Sequence, residues 1–211
     1  MGAPKVTVID HPIVRRDLTI LRRQETTHGT FRATLSNISG HLAYEALRDM
    51  PESEVTIETP LEQTVGHTLR GSVIVVPILR AGLGLVDGVL RLIPDARVGH
   101  LGMYRNEETR EPVSYYERTP RFIERARVLV VDPMLATGGS AVGAIDVLKR
   151  RGARDIRFIC LVAAPEGVTR LNEAHPDVPI ITAALDRQLD GNAYIRPGLG
   201  DAGDRIFGTQ D

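Results

Sequence analysis

Five apolar runs in the later two-thirds of the chain constrain its fold more than any other feature. They span residues 72–79, 98–104, 127–131, 156–163 and 179–185. Helix-like segments follow three of them, at 83–93, 139–151 and 166–175. Strands that alternate with helices indicate parallel pairing through right-handed crossovers, and continuous apolar runs are typical of strands covered on both faces. The sequence therefore predicts an α/β fold with a parallel sheet flanked by helices.

A ligand site is expected at one edge of this sheet. Ligands of such sheets bind beyond the carboxyl ends of the strands. The loops that begin at those ends start at Arg80, Arg105, Asp132, Pro165 and Asp186. Catalytic and binding residues are therefore sought first in these loops.

The first seventy residues carry a different pattern. Two stripes at helical spacing predict helices that pack on the core. They are Val14, Leu18 and Leu21 after Pro12, and Phe31, Leu35, Ile38 and Leu42. Weak alternation over 54–70, around Pro60, predicts a short hairpin or flap. We expect one domain over 1–211, with helices and flap over 1–70, a core over about 72–190 and a C-terminal segment over 191–211.

Charge and composition bear on several classes of function. The net charge of −1 and the pI of about 6.6 argue against a nucleic-acid partner, which usually selects a strong basic excess. The single cysteine, Cys160, lies in an apolar run and is expected to be a buried, inert thiol. The N-terminus has no apolar signal core and no run reaches transmembrane length, so we expect a cytoplasmic protein without a membrane partner. The six histidines show no metal-ligand spacing.

The strongest local signal is the segment 128–140, which reads Val-Leu-Val-Val-Asp-Pro-Met-Leu-Ala-Thr-Gly-Gly-Ser. A buried strand ends at Asp132 and a loop of small residues leads into a helix, which is expected to end before Gly152. The N–H groups and dipole of a helix N-terminus form an anion site. The absence of Gly-Lys-Ser/Thr excludes a Walker A loop. A strand–turn–helix without a ligand is the alternative interpretation.

The residue types in this loop suit a phosphorylated sugar. Gly138 and Gly139 let the backbone close on a phosphate, and Thr137 and Ser140 add hydroxyl donors. Asp132 lies where a carboxylate could hold ribose hydroxyls.

Segment 132–140 resembles the phosphoribosyl diphosphate motif of the uracil phosphoribosyltransferases. Four more segments resemble the family in the same order: 77–84 (Pro-Ile-Leu-Arg-Ala-Gly-Leu-Gly), 103–109 (Met-Tyr-Arg-Asn-Glu-Glu-Thr), 162–167 (Val-Ala-Ala-Pro-Glu-Gly) and 194–205 (Tyr-Ile-Arg-Pro-Gly-Leu-Gly-Asp-Ala-Gly-Asp-Arg). The resemblance implies a type I phosphoribosyltransferase-like fold with a small hood or flap and a flexible lid loop. It implies a pentosyltransferase of pyrimidine salvage, which joins uracil to 5-phospho-α-D-ribose 1-diphosphate and yields UMP and diphosphate.

The resemblance also implies roles for individual residues. Those implied as catalytic are Arg80, Arg105 and Asp132. Those implied for binding phosphoribosyl diphosphate are Arg80, Arg105, Asp132, Pro133, Met134, Leu135, Ala136, Thr137, Gly138, Gly139, Ser140 and Asp201. Those implied for uracil are Ile195, Gly200, Asp201 and Ala202, chiefly through main-chain groups. Negative charge grows on the diphosphate as its bond to ribose breaks, and arginines stabilise that charge.

Cofactor and partners follow from the same resemblance. Most phosphoribosyltransferases carry two adjacent acids at the end of this strand, but here Pro133 follows Asp132. We therefore expect Mg²⁺ to be held mainly through the diphosphate and water, without a dedicated protein metal site. The family also suggests a homo-oligomer, with GTP as an effector in some members.

Residues 105–119 form a long polar stretch, for which we predict an irregular lid that excludes water. Two alternatives to the enzyme remain open at this point. A dinucleotide-binding protein is suggested by Gly-x-Gly-x-x-Gly at 198–203, although no strand precedes this match and only eight residues follow it. A regulatory RNA-binding protein on the same phosphoribosyltransferase fold would need a basic face.

Overall fold

The computed structural model describes residues 6–105 and 112–209, and only the backbone of Arg105 and Pro112. The helices are α1 (Pro12–Arg22), α2 (His28–Ala46), α3 (Leu83–Leu92), α4 (Gly139–Arg150), α5 (Pro165–Ala174) and α6 (Ala202–Phe207). The strands are β1 (Val6–Val8), β2 (Glu52–Glu58), β3 (Gln63–Leu69), β4 (Ser72–Leu79), β5 (Arg97–Val98), β6 (His100–Arg105), β7 (Pro112–Arg118), β8 (Ala126–Val131), β9 (Met134–Leu135), β10 (Asp155–Ala163), β11 (Ile180–Leu185), β12 (Gln188–Leu189) and β13 (Ile195–Arg196).

Nine strands form one sheet, in the order β1-β11-β10-β8-β4-β6-β7, with β5 beside β4 and β9 beside β10. All of its pairs are parallel in the described part of the chain except β6 with β7. The chain leaves β4 toward β6 on one side and later places β8 on the other side. This reversal opens a crevice at the carboxyl ends of β4 and β8, where ligands of such sheets bind. The predicted α/β fold is confirmed.

The central strands are buried on both faces, which is why their sequences read as continuous apolar runs. Val75 and Leu129 are neighbours on β4 and β8 and pack against α1, α2, α3 and α6. Ile74 and Val128, the neighbours one position earlier, pack against α4 and α5 on the other face. The strand period of two therefore divides the apolar side chains between two helical layers.

Both predicted N-terminal helices are confirmed. Pro12 is the first residue of α1, and the hydroxyl oxygen of Thr27 accepts a hydrogen bond from the Thr30 amide at the start of α2. Every residue of the two predicted stripes is at most 7% exposed. Burial of each large apolar side chain contributes roughly 1.5–3 kcal/mol to folding. The helices therefore anchor the N-terminal part of the chain to the sheet.

Two hairpins lie outside the parallel core. β2 and β3 pair antiparallel over their whole length, which confirms the predicted hairpin over 54–70. The prediction of an irregular stretch over 105–119 is wrong for residues 112–118, which form β7 and pair antiparallel with β6. An edge strand can be polar because only one of its sides is paired and its faces stay exposed. Residues 106–111 of the predicted lid lie outside the described residues.

No helix in the described ranges combines the length and the apolar character needed to cross a bilayer.

Candidate active site

The loop between β8 and α4 follows the sheet before it turns into the helix. The Asp132 amide donates a hydrogen bond to the Ile159 carbonyl at 3.1 Å, and the Pro133 carbonyl accepts from the Leu161 amide at 2.9 Å. β9 then pairs with β10. Within this loop the side chain of Leu135 is buried in the core, whereas Met134 and Ala136 line an open cavity. Pro133 and Leu135 can therefore reach a ligand only through main-chain atoms.

The N-terminus of α4 presents free backbone donors. Gly138, the residue before the helix, has a φ of +78°, a conformation that side chains with a Cβ rarely adopt. No side chain caps this end and its first turn carries no acid. The first N–H groups of the helix are therefore available to an anion. The phosphate loop predicted from Thr137, Gly138, Gly139 and Ser140 includes this helix end.

An arginine that the sequence did not single out lies beside this helix end. Arg170 is an exposed residue of α5. A methyl group placed on Gly139 would lie 3.5 Å from Nη1 of Arg170 and 3.8 Å from its Cζ. A guanidinium beside the positive end of a helix is unfavourable unless an anion lies between them. An anion bound between the α4 N-terminus and the Arg170 guanidinium would be stabilised by both.

A cavity of about 250 Å³ opens next to the loop and brings the motifs together. Its lining residues are Ala81, Asp132, Met134, Ala136, Ala193, Tyr194, Ile195, Gly200, Asp201, Ala202 and Gly203. Three of the five segments picked out from the sequence thus contribute to one concavity. Larger concavities exist on α2 and α3, but they lie away from the carboxyl ends of the strands.

The carboxyl group of Asp132 has a pKa raised from 3.8 to about 7. Burial at the base of the cavity is the main cause, because it disfavours the charged form. A hydrogen bond from the Met134 amide, at 3.5 Å, acts in the opposite direction, and the negative charge of Asp201 adds to the rise. Two acids therefore face one cavity, and their negative charges repel each other. A bound cation or hydroxyl donors would reduce this repulsion.

The segment from 194 to 203 forms the opposite wall. Its strand β13 pairs with β12, and Ile195 is 3% exposed. Gly198 and Gly200 have φ values of +62° and +78°. A Cβ on Gly198 would collide with the Ile195 carbonyl. Asp201 caps α6, because its Oδ1 accepts a hydrogen bond from the Asp204 amide at 2.9 Å. The resulting tight turn exposes its backbone to the cavity.

The predicted catalytic residues are only partly brought together. Asp132 lines the cavity. Arg80 follows β4 and is exposed, but its Cζ lies 6.0 Å from the centre of the Phe207 ring on α6 rather than at the cavity wall. Its neighbour Ala81 does line the cavity. Arg105 ends β6, and its side chain is outside the described residues.

Other groups with reactive side chains stand apart from the cavity lining. Cys160 is fully buried, and burial raises its pKa to about 12, so its thiol is neutral. In the residues the structure describes, no group of three or more His, Cys, Asp or Glu side chains could hold a metal ion.

Comparison with known proteins decides among the three interpretations of the sequence. A family model described as uracil phosphoribosyltransferase matches residues 8–209. The chain belongs to the uracil phosphoribosyltransferase family. A relative of that name from Salinibacter ruber is 65% identical over 206 residues, which cover 98% of each chain. Another from Streptococcus pneumoniae TIGR4 is 56% identical and covers 98% of this chain and 99% of its own.

Solved structures agree with this family assignment. A protein from Aquifex aeolicus superimposes with a TM-score of 0.91 at 36% identity, covering 97% of this chain and 99% of the other. An adenine phosphoribosyltransferase from Trypanosoma brucei gives a TM-score of 0.58 at 12% identity, covering 94% and 89%, and this likeness concerns the fold alone. The predicted type I phosphoribosyltransferase-like fold is confirmed.

Family membership also confirms the predicted enzyme class and activity. A member of the uracil phosphoribosyltransferase family is a pentosyltransferase that converts uracil and phosphoribosyl diphosphate into UMP and diphosphate. The comparisons give no support to the RNA-binding alternative. The dinucleotide-binding alternative fails on the structure, because the glycine pattern at 198–203 follows a two-residue strand and leads into a helix of six residues.

Proposed function

We propose that uracil and phosphoribosyl diphosphate react in the cavity between the β8–α4 loop and the segment 194–203. The observation that supports this most directly is that Asp132 and Asp201, from two separate motifs, line the same 250 Å³ cavity. The free N-terminus of α4 belongs to the same loop as Asp132. One site thus contains hydrogen-bond donors for an anion, acids that can bind a sugar, and exposed backbone groups.

The 5-phosphate is assigned to the N-terminus of α4. The backbone N–H groups from Gly138 to Ser140 and the hydroxyls of Thr137 and Ser140 supply donors. Arg170 adds a guanidinium from the side, with the charge-assisted geometry that suits a phosphate. This assignment explains why a cation is tolerated at the positive end of a helix.

The ribose is assigned to Asp132, with Asp201 beside it. An ionised carboxylate accepts hydrogen bonds from ribose hydroxyls, so substrate binding would favour the ionised form of Asp132 and lower its pKa. Arg80 and Arg105 are assigned to the diphosphate, where they stabilise the charge that grows on the leaving group. This assignment requires the Arg80 guanidinium to leave the Phe207 ring and turn toward the cavity.

Mg²⁺ fits this donor set. Two carboxylates whose like charges repel each other across a cavity favour the binding of a divalent cation. Magnesium binds through one or two carboxylates together with phosphate oxygens and water, and does not require a cage of protein ligands. When bound, the ion would neutralise charge on the diphosphate; Asp132 and Asp201 would hold it, chiefly through its water molecules.

Uracil is assigned to the main chain of Ile195 and of Gly200 to Ala202. A backbone N–H can donate to O4 of the base while a carbonyl accepts from N3–H. Cytosine reverses both groups at this edge, so donor would face donor and acceptor would face acceptor. A site built on such pairs rejects the wrong base by ~10⁴-fold or more, because buried polar groups are left unpaired.

These assignments describe a dissociative displacement. The bond from ribose C1 to the diphosphate breaks and its electron pair leaves with the diphosphate, while N1 of uracil attacks the resulting oxocarbenium-like centre and releases its proton to the departing diphosphate or to water. The chain's contribution is to hold both reactants in line and to stabilise the leaving group. No residue is assigned as a general base.

We propose four further properties of this protein. A homo-oligomer, GTP as effector, the cytoplasm as location and the absence of a nucleic-acid partner are inferred from family resemblance, charge and composition. The division of 1–211 into helices and flap, core and C-terminal segment is likewise a proposal about one domain.

Steady-state assays with uracil, cytosine, phosphoribosyl diphosphate and Mg²⁺ test the site. Product would be identified by chromatography as UMP or CMP. We expect UMP with uracil and at least ~10⁴-fold lower kcat/KM with cytosine. Use of cytosine within tenfold of uracil would show that the main-chain edge does not choose the base.

A further inference from the structure

An ion pair between α1 and the residue that follows β11 supports the turn at 197–202, to which uracil is assigned. Arg22 is the last residue of α1, and Asp186 directly follows β11. Nη1 and Nη2 of Arg22 bind the two carboxylate oxygens of Asp186 at 2.9 and 2.6 Å. The two side chains are 23% and 5% exposed. Such a bidentate, largely buried pair has a fixed geometry.

Both peptide groups that flank Gly198 are bound to this pair. Oδ2 of Asp186 accepts a hydrogen bond from the Gly198 amide at 2.9 Å, and Nη1 of Arg22 donates to the Gly198 carbonyl at 2.8 Å. Asp186 is itself tied to the sheet, because its amide donates to the Ala163 carbonyl at 2.8 Å. The position of the turn is therefore set by the sheet edge and by α1 together.

A second arginine extends this support toward the cavity. Nη1 of Arg205 donates to the Leu199 carbonyl at 3.0 Å and to the Leu21 carbonyl, and Nη2 donates to the Arg23 carbonyl at 2.5 Å. Its Cζ lies 4.5 Å from the centre of the Phe31 ring. Three consecutive peptide groups, from 197 to 200, are thus held by charged side chains. The next ones, at 200–202, are those assigned to uracil.

We infer that Arg22 and Asp186 are positioning residues for base recognition: they hold the turn at 197–200 so that the backbone at 200–202 meets the uracil edge. Neither residue lines the cavity, so they act through the backbone and not by contact with substrate. Paired hydrogen bonds need positions held within about 0.5 Å, which a glycine-rich turn does not hold without support. The inference rests on the proposed uracil site.

Kinetics of Arg22 and Asp186 variants test the inference. Arg22→Ala and Asp186→Asn are expected to raise the KM for uracil by ~10-fold or more, and to narrow the preference for uracil over cytosine. The KM for phosphoribosyl diphosphate should change less than about twofold, because its assigned donors lie in the β8–α4 loop. Arg22→Lys keeps the charge but not the bidentate contact, and should fall between wild type and Arg22→Ala.

Arg15→Ala is the matched control, since Arg15 lies on the same helix with a side chain that is 63% exposed. Circular dichroism and thermal unfolding would establish that each variant is folded. Arg22→Lys, the mildest change, keeps the test open if Arg22→Ala does not fold. An unchanged KM for uracil in the folded variants, or an equal rise in both KM values, would overturn the positioning role.

The variant Gly200→Val distinguishes an error in the positioning inference from an error in the proposed uracil site. If Gly200→Val raises the KM for uracil while Arg22 and Asp186 variants do not, the uracil site stands and the positioning inference is wrong. If Gly200→Val leaves uracil kinetics intact, the assignment of uracil to this turn is wrong, and the inference falls with it.

Discussion

Asp132 and Asp201 lie on separate walls of one cavity, and the charge of Asp201 helps to raise the pKa of the Asp132 carboxyl group to about 7. Asp132 directly follows the central strand β8, and Asp201 caps the C-terminal helix α6. An acid with a pKa raised like that of Asp132 is typical of a functional site, because charge is arranged there for a ligand and not for stability.

Asp132→Asn should fold but lose most of its activity. Loss of a charge-assisted hydrogen bond to ribose costs about 1.5–3 kcal/mol, which corresponds to roughly a 10- to 150-fold drop in kcat/KM for phosphoribosyl diphosphate. Initial-rate measurements at saturating uracil would give this ratio. Turnover and KM near wild-type values would remove Asp132 from the site.

The same substitution should stabilise the ligand-free protein at neutral and alkaline pH. Asp132 binds its proton more tightly in the folded state, with a pKa of about 7, than at its ordinary value of 3.8. Between these values the folded state holds more protons than the unfolded state, so stability falls as pH rises, and Asn removes this fall. Urea unfolding at pH 5 and pH 8 should show the gain growing with pH, on the order of 1–3 kcal/mol. Exposed Asp95→Asn is the control, and a gain independent of pH would contradict the assignment.

Arg170→Ala should weaken binding of phosphoribosyl diphosphate. Removal of one charge-assisted contact from a partly exposed phosphate should raise its KM by about 5- to 30-fold, and leave the KM for uracil within about twofold. Arg150→Ala is a matched control, because Arg150 lies at the opposite end of α4. Equal effects of the two substitutions would mean that Arg170 acts only through general charge.

Protection of residues 105–119 against hydrogen exchange should increase when phosphoribosyl diphosphate binds. The length and polarity of this stretch predict a lid over the substrate, within which residues 112–118 already form β7. Exchange measured with and without ligand and Mg²⁺, with peptides from β2 and β3 as an internal reference, would show the change. Equal protection in both states would favour a static hairpin.

Periodicity and apolar runs predicted most of the core. The stripes of α1 and α2 and the strand at 72–79 lie where the sequence placed them, because each buries one regular set of side chains. β7 was missed because residues 113–118 mix tyrosines with polar and charged residues and are not buried, so that its strand conformation comes from pairing with β6.

Side chains that act from a distance could not be predicted in the same way. Arg22 meets Asp186 across 164 positions of sequence, and Arg170 meets the phosphate loop from the next helix. Neither contact leaves a local pattern, because long-range pairs are set by tertiary packing. The sequence indicated only that Asp186 begins a loop at the end of a strand; it did not indicate that Arg22 would be its partner.

The contact between Arg22 and Gly198 has a consequence for the order of events during synthesis. The two residues are 176 positions apart. At a translation rate of about 5–20 residues per second, the helix that ends at Arg22 waits roughly 9–35 seconds for the turn it supports. The nascent chain can assemble its phosphate loop before then, but its base site takes shape only as the final segment leaves the ribosome. A nascent chain that has emerged as far as residue 190, with β10 and Arg170 in place, should therefore be able to hold a phosphate and unable to select uracil.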